Sequence, residues 1–390
     1  MKNYITIICL FISFISIAQK PNAFQYIDQK MAKIPDSLSY NTHKIAGYIN
    51  TNFKTDDEKI RAIFYFTATK IDYDVVNMLT INLNLKPEEI INKTLNTRKG
   101  VCINYAQVFN DIANIVGIKS VIIEGYTKQN GKIDALSHAW CATFLNNKWV
   151  VFDPTWSAGH VVNGKYVKKF NERFYKMDPT KIITSHMPFD YLWQFLNYPI
   201  SNDEFQKGLT LINKSKPFFD FEKEIGFYEN YTESIQLITS IKRIELNGVN
   251  NKLIAEIFKH KKNKVEHIKQ VRLHDDFNKA IADYNEAIQQ FNLFINYRNR
   301  QFKPIKPDEE IKKMIEDPKT KLVNTQYLLN NLGAISPNNQ PNLISLKNNL
   351  NELLKQVEEQ EDFVKVYLSK NPNTRKKLFT QYTFFGMPLN

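Results

Sequence analysis

Cys102, His138 and Asp153 stand 36 and 15 residues apart, in that order, within RKGVCINYAQVFNDIANIVGIK, LSHAW and WVVFDPTW. They bring together a thiol, an imidazole and a carboxyl group, the set that nucleophilic attack on an amide requires. A thiolate attacks the carbonyl carbon, an imidazole moves the proton to the leaving amine, and a carboxylate holds the imidazole tautomer. Release of the acyl group to water would be hydrolysis, and release to an amine would be transfer. Taken singly, each residue has a blander reading, since a cysteine at a helix start is usually structural and a strand histidine is usually a satisfied core residue. It is their joint order and setting that favour chemistry. His160 and His186 are alternative bases, although His186, in an irregular aromatic loop, reads as a structural hydrogen-bonder.

The elements that must position these groups are legible nearby. Thr55 to Glu58 forms a capping-box pattern that opens a helix towards Lys70, with Ile60, Ile63, Phe64 and Thr67 on its apolar face. KIDYD at 70–74 leaves that helix. Pro87 at a first helical position, followed by Glu88 and Glu89, starts another helix, which Gly100 is expected to break. Cys102 then begins a helix whose apolar face is Ala106, Phe109, Ile112, Ala113 and Val116, ending at Gly117. A thiol at a helix N-terminus meets unpaired backbone N–H groups and a partial positive charge, which favour the thiolate.

From Lys119 the period changes to that of strands. SVIIEGYT, SHAWCATFL and KWVVFD are separated by turns at Asn130–Gly131 and Asn146–Asn147, giving two hairpins and three antiparallel strands that can set His138 beside Asp153. Gly159 and Gly164 mark further turns before a strand-like piece near Glu172 to Met177. After about residue 230 the chain is helical by period. Phe277, Ile281, Tyr284, Ile288, Phe291 and Ile295 form one apolar stripe, and Leu343, Leu346, Leu350, Leu353 and Val357 form a second. Ordinary helix packing explains both, and a short coiled-coil surface is the alternative, because neither run sustains four heptads. The expected fold class is α+β, a helix-start cysteine packed on an antiparallel sheet, followed by an all-α C-terminal region.

With 390 residues and 43% hydrophobic content, the chain has material for two domains and real cores. The expected organisation is a signal peptide at 1–18, a helical bracing segment at 19–50 made of two pieces broken at Pro35, a core domain at 51–210, and a mainly helical region at 211–390. The leader has Lys2, an apolar run from Ile5 to Ile17 and a small-residue cleavage site ending at Ala18. Its removal takes away Cys9 and lowers the formal charge from +12 to +11. Export to the periplasm, cell surface or exterior is the expected location, with no membrane span afterwards. Cys102 and Cys141 are read as unpaired, Cys141 as a small buried hydrophobe. The positive charge is dispersed, and KHKKNK at 259–264 reads as a solvated helix face rather than a nucleic-acid site. For an exported chain, an acidic surface polymer is the anionic partner that fits. The sequence has no C-x-x-C, no H-E-x-x-H and no glycine-rich phosphate loop, so no metal or cofactor is expected.

GVCINYAQVF, SHAWCATF and WVVFDPTWSAG, preceded by RAIFYFTATKIDYD at 61–74, together resemble the transglutaminase-like superfamily of papain-type fold, in the branch typified by the kyphoscoliosis peptidase. The likeness runs over about residues 50–205, with the segment from Phe174 to Phe205 similar to the tail of that branch. It implies Cys102 as nucleophile, His138 as base and Asp153 as orienter, acting on peptide or protein substrates through a thioester. Phe66 departs from the pattern where the family usually has a tryptophan. In calcium-dependent members a tryptophan indole N–H serves the oxyanion, and a missing donor of this kind costs about 2.7 to 4 kcal/mol. The Cys102 N–H would remain. Cys141 sits where relatives often carry asparagine, which reads as packing. Nothing resembles a calcium site of alternating carboxylates. The leading expectation is thus an exported cysteine-dependent amide hydrolase or acyltransferase. The alternative is a catalytically weak or inactive binding module that uses the helical half as a scaffold towards a protein or surface-polymer partner.

Overall fold

The computed structural model describes residues 24–79, 85–334 and 336–379. The leader predicted over 1–18 lies outside them. Two compact units divide the chain at Lys261 and Lys262.

The first unit begins with α1 (Gln25–Ala32), α2 (Asp36–Ser39) and α3 (Thr42–Asn52), three helices where the sequence pattern indicated two. Next comes α4 (Asp56–Lys70), opened by the expected capping box: Glu58 N–H donates to Thr55 Oγ1 at 3.2 Å and Thr55 N–H to Glu58 Oε2 at 3.0 Å. The N-terminal helices brace α4 through Arg61. This fully buried guanidinium donates to Asp28 at 2.8 and 2.6 Å and to Glu172 at 2.8 Å, and it lies 4.4 Å from the Phe24 ring centroid. Burying that charge is tolerable only because both carboxylates meet it.

After α4 the chain forms β1 (Asp72–Tyr73), α5 (Pro87–Thr97), β2 (Lys99–Gly100) and α6 (Cys102–Ile115). α5 ends earlier than expected, because Arg98 takes a left-handed conformation (φ 56°) and turns the chain into β2. Gly100 has a different duty from ending the helix. A Cβ there would lie 2.4 Å from Asn104 Cβ, so only glycine lets this strand run under the first turn of α6. The predicted apolar face of α6, Ala106, Phe109, Ile112, Ala113 and Val116, is buried in the main core with α3, α4 and the inner sheet face.

β3 (Ser120–Gln129), β4 (Lys132–Leu145) and β5 (Lys148–Phe152) are the three predicted strands. Their turns, Asn130–Gly131 and Asn146–Asn147, have positive φ at both positions, the geometry that matches strand twist. A fourth strand, β8 (His186–Pro188), pairs antiparallel with the outer edge of β3, giving the order β5-β4-β3-β8. Between β5 and β8 lie α7 (Pro154–Ala158), a hairpin of β6 (Gly159–Val162) and β7 (Lys165–Lys168), and α8 (Pro179–Ile182). The piece near Glu172 to Met177 is irregular rather than a strand. It touches the sheet by one bridge, Val151 to Met177, where both backbone bonds form.

The unit continues past residue 210. Residues of α9 (Asn202–Lys207), α10 (Phe221–Asn230), α11 (Glu233–Asn247) and the start of α12 (Lys252–Asn299) cover the sheet face opposite α6, with Ile225 against Trp149 and Phe195, and Ile244 and Ile254 against Tyr126 and Met187. A buried pair fastens this cover, since Arg243 donates to Asp190 at 2.7 and 2.8 Å. Residues 211–261 therefore belong with the sheet, because its second face is apolar and needs them.

The second unit holds the rest of α12 with α13 (Asp308–Asn330), α14 (Gln340–Ser369) and α15 (Pro372–Arg375). Phe277, Phe291, Leu343, Leu346, Leu350 and Val357 from the two predicted stripes meet in one core. Lys259, Lys262 and Lys264 are exposed on α12. No helix among the described residues is long and apolar enough to cross a membrane.

Candidate active site

Cys102 is the first residue of α6, His138 lies on β4 opposite Gly125 of β3, and Asp153 follows β5 as the N-cap of α7. Pairing of Cys141 with Phe152 sets the β4–β5 register. It brings His138 Nε2 to 2.7 Å from Asp153 Oδ2. Nε2–H therefore donates to the carboxylate, which leaves Nδ1 for the thiol. Cys102 and His138 keep 8% and 9% exposure while Asp153 has none, so the carboxylate is the most deeply buried of the three.

Asp153 accepts four hydrogen bonds. Oδ1 takes the backbone N–H groups of Thr155 at 2.8 Å and Trp156 at 3.0 Å, and Oδ2 takes His138 and His186 at 2.7 and 3.0 Å. Burial opposes the charge on this carboxylate, yet the His138 charge and these bonds outweigh it and hold the group well below the usual carboxylate range. The same contest raises His138. Burial lowers it, but the Asp153 charge, the bond to it and the interaction with the Cys102 thiol push it up to about 10. The imidazole is thus held as imidazolium at neutral pH.

His186 was readable only as a structural hydrogen-bonder or an alternative base, and it is built into the site as the second imidazole on Asp153. Burial depresses its titration, so it is neutral. Nε2–H goes to Asp153, and Nδ1 accepts from the Ser185 hydroxyl at 2.8 Å. With both nitrogens engaged and no exposure to speak of, it is placed to hold Asp153 rather than to move protons. His160 is exposed on the β6–β7 hairpin and lines the same cleft as His138, outside the cluster around Asp153. The ligand-type atoms of His138, Asp153 and His186 lie within 4.8 Å of one another, but they are already one another's hydrogen-bond partners.

Aromatic rings fix both imidazoles. Trp140 stacks on His138 at 5.9 Å and meets His186 edge-on at 5.1 Å, and Trp156 lies 5.7 and 4.6 Å from them. Trp140 fits only because residue 125 is glycine: a Cβ there would lie 2.5 Å from the indole and 2.2 Å from Met187 O. Both tryptophans stand in sequence motifs, SHAW and DPTW, but nothing in their spacing says which rings they touch.

Cys102 and Cys141 are free thiols. Cys141 donates to Ala106 O at 3.4 Å, and burial raises its thiol well above the ordinary value, so it is inert packing. Phe66 is fully enclosed in the core, with the Arg98 guanidinium 5.9 Å from its ring centroid. A cleft of about 840 Å³ opens over His138, lined among others by Tyr73, Trp156, Tyr166, Arg173 and Phe174. In the sequence, Tyr73 stands out only as part of KIDYD. Burial, then the charges of Cys102 and Asp153, push its phenol up to about 12.

Residues 43–154 match the family model of the transglutaminase-like superfamily. The first unit thus holds a segment that matches the transglutaminase-like superfamily, in an α+β arrangement. Among similar proteins, the kyphoscoliosis peptidase of Homo sapiens is 30% identical over 164 residues, 40% of this chain and 24% of that protein. Hillarin of Drosophila melanogaster is 24% identical over 171 residues, 39% of this chain and 20% of that protein. A solved structure, the periplasmic domain of TgpA from Pseudomonas aeruginosa, is 16% identical with a TM-score of 0.25, covering 34% of this chain and 47% of that one. The chain therefore spans about a quarter or less of the curated relatives' length.

Proposed function

We propose that this chain is an exported cysteine-dependent amide hydrolase or acyltransferase acting on peptide or protein substrates. The observation that supports this most is the relay itself: a buried, four-bonded Asp153 holds His138 as a cation next to the Cys102 thiol, beside an open cleft. In this reading Cys102 Sγ attacks the carbonyl carbon and His138 Nδ1–H protonates the leaving amine. The resulting thioester passes its acyl group to water or to a second amine. The leader pattern over 1–18 supports export, and the name of the human relative, a peptidase, points to amide substrates.

Labelling with iodoacetamide at neutral pH, read by mass spectrometry of the Cys102 peptide, tests the reading. The wild type is expected to react faster than free cysteine, and His138→Ala to lose that advantage. Equal rates in the two proteins would refute an activated thiol. Phe66, which has no N–H to offer an oxyanion, favours a second reading in which the domain binds without turnover. A Cys102→Ala variant that folds and keeps full function in a binding assay would support that reading.

A further inference from the structure

We propose that the Tyr73 hydroxyl is the second donor to the oxyanion, taking the part that Phe66 cannot play. This rests on Cys102 being the nucleophile. β1 runs parallel to β2 with Tyr73 opposite Gly100, two residues before the thiol. Three bonds clamp this segment to the start of α6: Asp72 N–H to Arg98 O at 2.8 Å, Asp74 N–H to Gly100 O at 2.9 Å, and Tyr105 O–H to Ile71 O at 2.8 Å. Tyr105 stands one turn along α6 from Cys102, so thiol and phenol are carried on one braced frame.

Tyr73 lines the same cleft as His138, its ring 6.4 Å from that of Tyr166. Its hydroxyl has no hydrogen-bond partner among the described residues and is free to donate. Burial and the neighbouring negative charges keep it protonated at working pH. The other donor is the backbone N–H of Cys102, which as the first helical residue has no intrahelical acceptor. Phe66, by contrast, is wholly enclosed and does not reach the cleft.

Two thiol reagents separate this role from mere support of the thiol. With p-nitrophenyl acetate, Sγ bonds to the carbonyl carbon while the carbonyl π pair moves to oxygen, where the two donors hold it. The pair then returns, the C–O bond breaks, p-nitrophenolate leaves, and an acetyl thioester remains; Tyr73 keeps its proton throughout. Iodoacetamide displaces iodide at a saturated carbon and forms no oxyanion. In Tyr73→Phe, acylation is expected to fall about 10²- to 10³-fold while alkylation changes by no more than about twofold. Replacement of Tyr73 by 2,3,5-trifluorotyrosine, nearly isosteric and a stronger donor, is expected to keep or raise the acylation rate, and it serves as the test if the phenylalanine variant does not fold. Parallel loss of both reactions, or no loss of acylation, overturns the proposal. So does a trifluorotyrosine protein that acylates as slowly as an oxyanion-deficient one. A wild type that is alkylated rapidly but not acylated overturns the oxyanion assignment alone, whereas one alkylated no faster than free cysteine removes the nucleophile on which it rests.

Discussion

Replacing Asp153 by asparagine removes one charge and leaves the shape. The amide oxygen is expected to stay on the Thr155 and Trp156 N–H groups, which turns the amide NH2 towards His138 and His186. His138 Nε2 must then accept, its proton moves to Nδ1 facing the thiol, and the imidazole can no longer take a proton there. Burial, which opposes the cation, is then offset only by the interaction with the Cys102 thiol, so the titration should fall well below about 10. Each pH unit of that fall corresponds to about 1.4 kcal/mol of lost preference for the imidazolium. A wrong tautomer of this kind costs about 10⁴-fold in a serine-protease triad. The assay is the pH titration of His138 carbon and proton NMR signals in wild type and Asp153→Asn, with Cys102 alkylation measured alongside. A wild-type His138 that titrates near 6.5, or a variant whose His138 titrates where the wild type does, would refute the ion-pair account.

The remaining expectations concern stability and packing. Because folding raises His138, its contribution is complete below about pH 6.5 and is lost as pH rises through about 10. Unfolding free energy should therefore fall by about 1.4 kcal/mol per unit across that window, less in Asp153→Asn, as denaturant titrations at several pH values would reveal. His186→Leu removes a buried donor to a charged acceptor and should cost about 1.5 to 3 kcal/mol in urea unfolding; a change within error would mean Asp153 does not need its second imidazole. Gly125→Ala drives a Cβ into Met187 O and the Trp140 ring, and overpacking of about 1 to 3 kcal/mol or more should lower the midpoint at unchanged m-value. An unshifted midpoint would show that β3 and β8 can part without cost.

Local signals were legible where the physics is local. The Thr55–Glu58 cap, the apolar face of α6 and the two asparagine-bearing hairpin turns each depend on residues within a few positions of one another. The two C-terminal stripes likewise reported which side of each helix is apolar. Failures occurred where a distant partner decides. Residues 172–177 looked like a strand, but Val151 offers only one bridge there. β8 was invisible, since three residues have no period and only the free edge of β3 makes them a strand. Residues 211–261 looked like the start of a separate helical region, yet they cover the apolar outer face of the sheet.

For the site, the sequence alone determined the cast: a cysteine at a helix start, a histidine on a strand and an aspartate one residue past the next. Spacing and hydrophobic period suffice for that because they fix which element each side chain rides on. Only the tertiary structure decided how the groups are poised. It set a second imidazole on Asp153, closed Phe66 into the core and brought Tyr73 to the cleft. Those outcomes depend on charge, burial and hydrogen bonding between residues far apart in the chain, and no local pattern encodes such contacts.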